Sequence, residues 1–254
     1  MLTFLHDTLV IARRNLTRLI RTPQLLFFSS IQPVLFLLLF NFVFGGAVAK
    51  STSDAAYITF LLPGILAQTA LFGSAQTGVG MAEDLGKGVV DRFLSLPISR
   101  SAIVAGRTLA DGCRNIMVVL IMIGAGMLLG FRFEMGVWYA IAAIGLTVLF
   151  GFAFSWISLA IGLAVKDSET AQVAGFVWIF PLVFASSVFV PTQTMPHWLQ
   201  VFADNQPVTQ VVNAVRYLST GTADSIAVLY TLLWVVGIVA VFAPIATRLF
   251  RKAV

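Results

Sequence analysis

Few residues in this chain are placed to do covalent chemistry. Gly86-Lys87-Gly88 is the nearest approach to a phosphate-binding loop. Such a loop needs a glycine five positions before the second one and a serine or threonine after the lysine. Those positions hold Met81 and Gly88, so a Walker-type ATP site is excluded. The two histidines, His6 and His197, lie far apart in sequence, and Cys113 is the single cysteine. They make neither a metal cluster nor a Cys/His nucleophile, and no internal disulfide can form. The residues that invite a chemical question are amides. Gln32, Gln68 and Gln76 fall inside long apolar runs, where an unpaired carboxamide is costly. They either line a polar pathway or bridge neighbouring helices.

Composition explains why amides stand out. Hydrophobic residues make up 59% of the 254 and charged residues only 11%. A soluble domain carries roughly 25% charged and 45–50% apolar residues, so this is an integral membrane protein. The formal charge is +5, but the basic residues flank apolar runs, which excludes a nucleic-acid surface. A run of about 20 apolar residues crosses a bilayer as a helix. Six such runs are expected: Leu25–Gly45, Tyr57–Met81, Gly112–Gly130, Val137–Val165, Ala171–Val190 and Ser225–Thr247. With the N-terminus in the cytoplasm, Lys and Arg divide thirteen inside to three outside, Lys50, Arg132 and Arg216. The positive-inside rule therefore puts both termini in the cytoplasm. Asp111 and Arg114 are expected at the inner end of the third run, and the other five have no charged centre. An ion relay is hard to build without one, so energy for uphill transport must enter from outside the spans.

Four further segments are not spans, the shortest being the loop Lys166-Asp167-Ser168-Glu169. Residues 1–22 carry Leu5, Leu9, Ala12, Leu16 and Leu19 at helical spacing with arginines mostly off that stripe. This predicts an amphipathic helix in the inner interface, its arginines near lipid phosphates. Residues 84–100 form a charged interruption: glycines permit a sharp turn, a short helix follows, and Pro97 ends it. Residues 191–224 hold Pro196 and Pro207, each positioned to start a helix. After Pro207, Val208, Val211, Val212, Val215 and Leu218 form an apolar stripe, with Thr209, Gln210, Asn213 and Arg216 elsewhere. Two amphipathic helices dipping into the outer leaflet are expected there. The fold class is all-α: six transmembrane helices, an interfacial helix, a cytoplasmic helix and outer re-entrant helices, in one domain spanning residues 1–254.

The stretch GKGVVDRFLSLPISR resembles the coupling segment of type-2 ABC exporter permeases through Gly88, Asp91, Phe93, Leu94, Pro97, Ser99 and Arg100. The stretch MPHWLQVFADNQPVTQVVNAVRYLSTG is similar to the outer segment of the same family, especially its daunorubicin/doxorubicin-resistance branch. The matching positions include Pro196, Trp198, Leu199, Asn205, Pro207 and Arg216.

This resemblance implies a permease subunit of an ATP-driven exporter in a bacterial inner membrane. It implies a soluble ATP-binding partner that holds ATP and Mg, with no cofactor in this chain and no ATPase site of its own. A second permease copy, identical or related, would complete the pathway. Phe93 and Leu94 would be buried anchors in the ATPase cleft, and Asp91, Arg92 and Arg100 would tune the pairing. Cargo would be an amphipathic drug or a lipid. A lipid-linked saccharide, an ion-coupled carrier and a non-transporting membrane subunit remain the alternatives.

Overall fold

The computed structural model describes residues 2–21, 23–48, 57–94 and 100–253, and every regular element among them is helical. In chain order these are α1 (Leu2–Arg21), α2 (Pro23–Val48), α3 (Tyr57–Gly86), α4 (Val89–Leu94) and α5 (Arg100–Leu128). There follow α6 (Val137–Val165), α7 (Ser168–Phe184), α8 (His197–Asn205), α9 (Pro207–Thr220) and α10 (Ile226–Ala253).

Four of these, α3, α5, α6 and α10, are long and apolar enough to cross a membrane. Shorter apolar stretches occupy Ser30–Val43 of α2 and Ser168–Phe184, which is α7. All six expected runs therefore lie on helices, with shifted ends. The third begins well before Gly112, at Arg100, and the fifth stops at Phe184 instead of Val190. Outward-facing Leu120, Val177 and Leu233 belong to apolar surfaces on α5, α7 and α10 too broad for a water-facing protein.

The hub is α3, which packs on α2, α5, α6, α7 and α9. It can do so because it is apolar on nearly every side and lacks bulk where backbones meet. A Cβ on Gly78 would collide with the Ser158 carbonyl, and one on Gly162 of α6 would collide with the Gly78 carbonyl. The main apolar cluster gathers Leu61, Leu62 and Ile65 of α3, Phe150 and Phe154 of α6, and Val211 and Val215 of α9. A second cluster joins Ile11 of α1, Met81, Val90 of α4, Val104, Leu163 and Phe250.

On α1, Leu9 of the expected stripe points outward, while Ala12 of the same stripe is buried. Thr8, Ile11 and Ala12 are buried, because Gly106 of α5 lets the helices close together. A Cβ on Gly106 would sit 2.7 Å from the Thr8 carbonyl and 2.8 Å from Ile11 Cβ. The side chains of Leu5 and Leu19 lie outside the described residues. Helix α9 is buried on its polar positions as well as its apolar stripe: Thr209 and Arg216 are enclosed like Val211 and Val212. It is an internal helix among α3, α6 and α10, not one that turns a polar face to water.

Candidate functional site

A cavity of about 340 Å³ opens between α2, α3 and α5. Helix α2 contributes Gln32, Pro33 and Phe36, and α3 contributes Gln68, Thr69, Phe72, Gly73 and Gln76. Helix α5 contributes Arg114, Asn115 and Val118. The three glutamines singled out by sequence therefore share one cavity. Gln32 and Gln76 are exposed at its mouth, whereas Gln68 and Asn115 are each only 5% exposed and form its floor. Gln68 Oε1 is enclosed and has no hydrogen-bond partner among the described residues. Gly73 makes room for the floor, since a Cβ there would collide with Asn115 Oδ1.

Asn115 is the cavity residue that sequence reasoning missed, and Arg114, expected at the inner end of the third run, has fourteen residues of α5 before it and fourteen after it. The signal was available in part. Reading the span from its apolar part alone put its start at Gly112, twelve residues after α5 begins. Arg114 donates from Nη2 to the Gly73 carbonyl at 2.8 Å, and its Nη1 stands 3.5 Å from Asp111 Oδ1. Asp111 Oδ2 is 3.9 Å from Arg107 Nε, and Arg107 bonds Asp84 near the end of α3. A ladder of alternating charge thus runs along α5 from Asp84 to the cavity.

Below that ladder α3 ends and α4 begins. Lys87 N–H bonds the Glu83 carbonyl at 3.0 Å and Gly88 N–H bonds the Leu85 carbonyl at 3.0 Å. Gly88 has φ 63°, a left-handed turn that favours glycine. Gly86 is simply the last residue of α3. The short helix is narrower than residues 84–100: Asp84 still belongs to α3, and α4 covers Val89–Leu94. Val90, 2% exposed, roots α4 in the second apolar cluster, and Arg92 is exposed. Pro97 and the side chains of Asp91, Phe93, Leu94 and Arg100 lie outside the described residues.

The 191–224 segment begins past the end of α7, where the backbone stops being helical. Helix α7 has 17 residues, about 26 Å, somewhat less than a bilayer core of about 30 Å. Pro181 cannot donate within it, and Gln206 Nε2 bonds the Leu182 and Ala185 carbonyls at 2.8 and 2.6 Å, closing its end. The next peptides find partners from α3 and α9. Ser187 N–H bonds Thr209 Oγ1 at 3.2 Å, and the Phe189 carbonyl accepts from Tyr57 Oη at 3.1 Å. Arg216, 6% exposed, donates to the Ser187 carbonyl at 2.6 Å, to Ser187 Oγ and Asn213 Oδ1, and to the Phe60 carbonyl. Gly64 admits this segment, because a Cβ there would collide with the Val188 carbonyl.

The other sequence-selected residues of this segment play local parts. Pro196 is the N-cap of α8 and Pro207 is the first residue of α9. Asn205 bonds the Val201 carbonyl at 2.8 Å, while Leu199 is half-buried and Trp198 points outward.

The chain matches the family described as ABC-2 type transporter over residues 6–219. It is 37% identical over 222 residues to the daunorubicin resistance ABC transporter permease protein DrrB1 of Streptomyces coeruleorubidus, covering 87% of this chain and 78% of that protein. It is 29% identical over 252 residues to the probable doxorubicin resistance ABC transporter permease protein DrrC of Mycobacterium tuberculosis, covering 98% and 90% respectively. A putative transport permease, ycf38 of Cyanophora paradoxa, is 28% identical over 223 residues, 85% of this chain and 74% of that one. The helical architecture, the apolar outer faces and these matches together establish that the chain is a multi-pass membrane protein belonging to the ABC-2 type transporter family.

Proposed function

We propose that this permease subunit exports amphipathic drugs or lipids, driven by a separate ATP-binding subunit. The reading rests on one observation above others: a polar cavity floored by Gln68 and Asn115 lies among helices that are otherwise apolar. A buried amide with no protein partner is costly, and a polar passenger or water removes that cost. The names of the relatives favour drugs as cargo. Six crossings, by α2, α3, α5, α6, α7 and α10, suit the chain, with both termini cytoplasmic in a bacterial inner membrane. A second permease copy completes the pathway.

Force enters through α4. ATP and Mg bind the partner, whose closure pushes the segment containing Asp91, Arg92, Phe93, Leu94, Pro97 and Arg100. Val90 and the Asp84–Arg107 pair then pass that movement to α3 and α5, which wall the cavity. The test is co-purification with the candidate ATP-binding subunit, then ATPase stimulation in nanodiscs across a panel of amphipathic compounds and lipids. Phe93→Ala is expected to weaken the subunit contact by about 2 kcal/mol. Undiminished stimulation and efflux in that variant would overturn the coupling role.

A further inference from the structure

We propose that the end of α10 binds an anionic phospholipid of the adjoining leaflet, its headgroup on Arg248, Arg251 and Lys252 and its chain along Ile245 and Leu249. The site is separate from the α2/α3/α5 cavity, and the inference needs no cargo.

An open groove of about 360 Å³ runs along the last turns of α10, lined by Ile245, Arg248, Leu249, Arg251 and Lys252. The three cations are exposed. Among the described residues none of them forms an ion pair or a side-chain hydrogen bond. Other cations at this end of the bundle are answered from within the chain: Lys87 pairs with Glu83, and Arg107 with Asp84. Three like charges crowded into little more than one turn repel one another. An anion among them relieves that repulsion as well as gaining attraction.

Depth and polarity order make that anion a lipid. Val241, Ile245, Arg248, Leu249 and Lys252 recur at helical spacing on one face of α10. Val241 and Ile245 are exposed, so the face is apolar before it reaches the cations. At 1.5 Å per residue Arg248 stands about 33 Å along the axis from Ile226, against a bilayer core of about 30 Å. The face thus passes from hydrocarbon depth to cations at headgroup depth, the same order as a phospholipid lying beside it. A soluble acidic partner would match the cations alone. The other side of these turns is already taken, since Ala246 and Phe250 are buried in the second apolar cluster with Val90. A lipid held by the cations therefore braces a helix end that packs where α4 is rooted.

The test uses the purified full chain in detergent. Phosphatidylglycerol and phosphatidylcholine of equal chain length are titrated in, and bound lipid is counted by native mass spectrometry. Near a membrane surface each basic residue is worth about fivefold in affinity for anionic lipid. Phosphatidylglycerol should therefore bind at least about twentyfold tighter than phosphatidylcholine. Arg248→Gln combined with Lys252→Gln should bring the two lipids within about threefold of each other. Both side chains are exposed, so this variant keeps its fold. Arg13→Gln combined with Arg21→Gln removes two exposed cations from α1 and should leave the preference above about tenfold. Phosphatidylglycerol should also raise the melting temperature of the wild type and not that of the α10 variant.

Equal binding of the two lipids by the wild type, or a preference that survives in the α10 variant, overturns the proposal. A preference lost as fully in the α1 variant does the same, because diffuse positive charge would then explain it. Displacement of phosphatidylglycerol by glycerol 3-phosphate would show that the groove takes a free phosphate and not a lipid. An α10 variant that keeps its lipid preference but no longer co-purifies with the ATP-binding subunit would assign the cations to that subunit instead.

Discussion

Arg216 donates from Nε and Nη2 to the carbonyl of Phe60, at 3.2 and 3.1 Å, and its guanidinium carbon stands 3.7 Å from the centroid of that residue's ring. One side chain thereby grips both the backbone and the ring of a residue 156 positions earlier. The planar fork suits this task, since it can face several carbonyls at once while its flat side covers the ring. Among the described residues no carboxylate pairs with it; backbone and side-chain oxygens take its donors.

Arg216→Lys is therefore expected to behave as a loss. A lysine is a point charge without the fork, and at least one of the Phe60 and Ser187 carbonyls would go unpaired, at about 1–3 kcal/mol. Thermal unfolding of the purified protein in detergent measures this. A lysine variant as stable as the wild type would show the clamp to be unimportant.

Gly162→Ala is expected to destabilise more than an alanine in a membrane helix should. Its methyl would press on the Gly78 carbonyl, forcing α3 and α6 apart. Overpacking of this kind costs about 1–3 kcal/mol. Gly145→Ala, on the same helix but with open space around it, is the control and should be near neutral. Comparable melting of the two variants would refute the close approach.

Val90 gives a prediction that separates anchoring from docking. Val90→Ala removes buried methyl groups from the second cluster and should cost about 1–2 kcal/mol. Val90→Asp places a charge there and should detach α4 from the body of the permease. Binding of the ATP-binding subunit should persist while ATPase stimulation falls, more for aspartate than for alanine. Equal stimulation in all three proteins would mean that α4 does not transmit force through this contact.

Asp167 supplies a dependence on pH. It caps α7, accepting from Thr170 Oγ1 at 2.6 Å and Thr170 N–H at 2.8 Å, and these bonds hold its carboxyl below its ordinary value of 3.8. A depressed carboxyl stabilises the fold above its unfolded value, and that stabilisation disappears as pH falls through the folded value. The wild type should thus lose stability in acid below about pH 4, and Asp167→Ala should lose less over the same range. Parallel acid melting curves would exclude the cap as the source.

How much of this was legible in the residue string depended on whether a feature is local. Apolar runs and basic flanks located six helices, because span length and flanking charge are properties of the segment itself. The glutamines stood out because amides are conspicuous among leucines. The true start of α5 was missed because its first turns carry Arg100, Arg107 and Asp111 and give no continuous apolar signal. The burial of Arg216 was invisible for another reason. Its partners, Phe60 and Ser187, are bulky and small residues that carry no charge, so nothing in composition pairs them with an arginine. The early stop of α7 had a visible half, Pro181, and a hidden half, Gln206, which acts 21 residues beyond Ala185.

That early stop constrains how the protein is made. When residues 185–189 first leave the ribosome, the groups that satisfy them from the C-terminal side do not yet exist. Gln206, Thr209 and Arg216 follow their targets by 21, 22 and 29 residues. The break after α7 therefore stays open until α9 has been made. Truncation before Gln206 would then leave the end of α7 and the peptides after it without these partners, even though every residue of that helix is present.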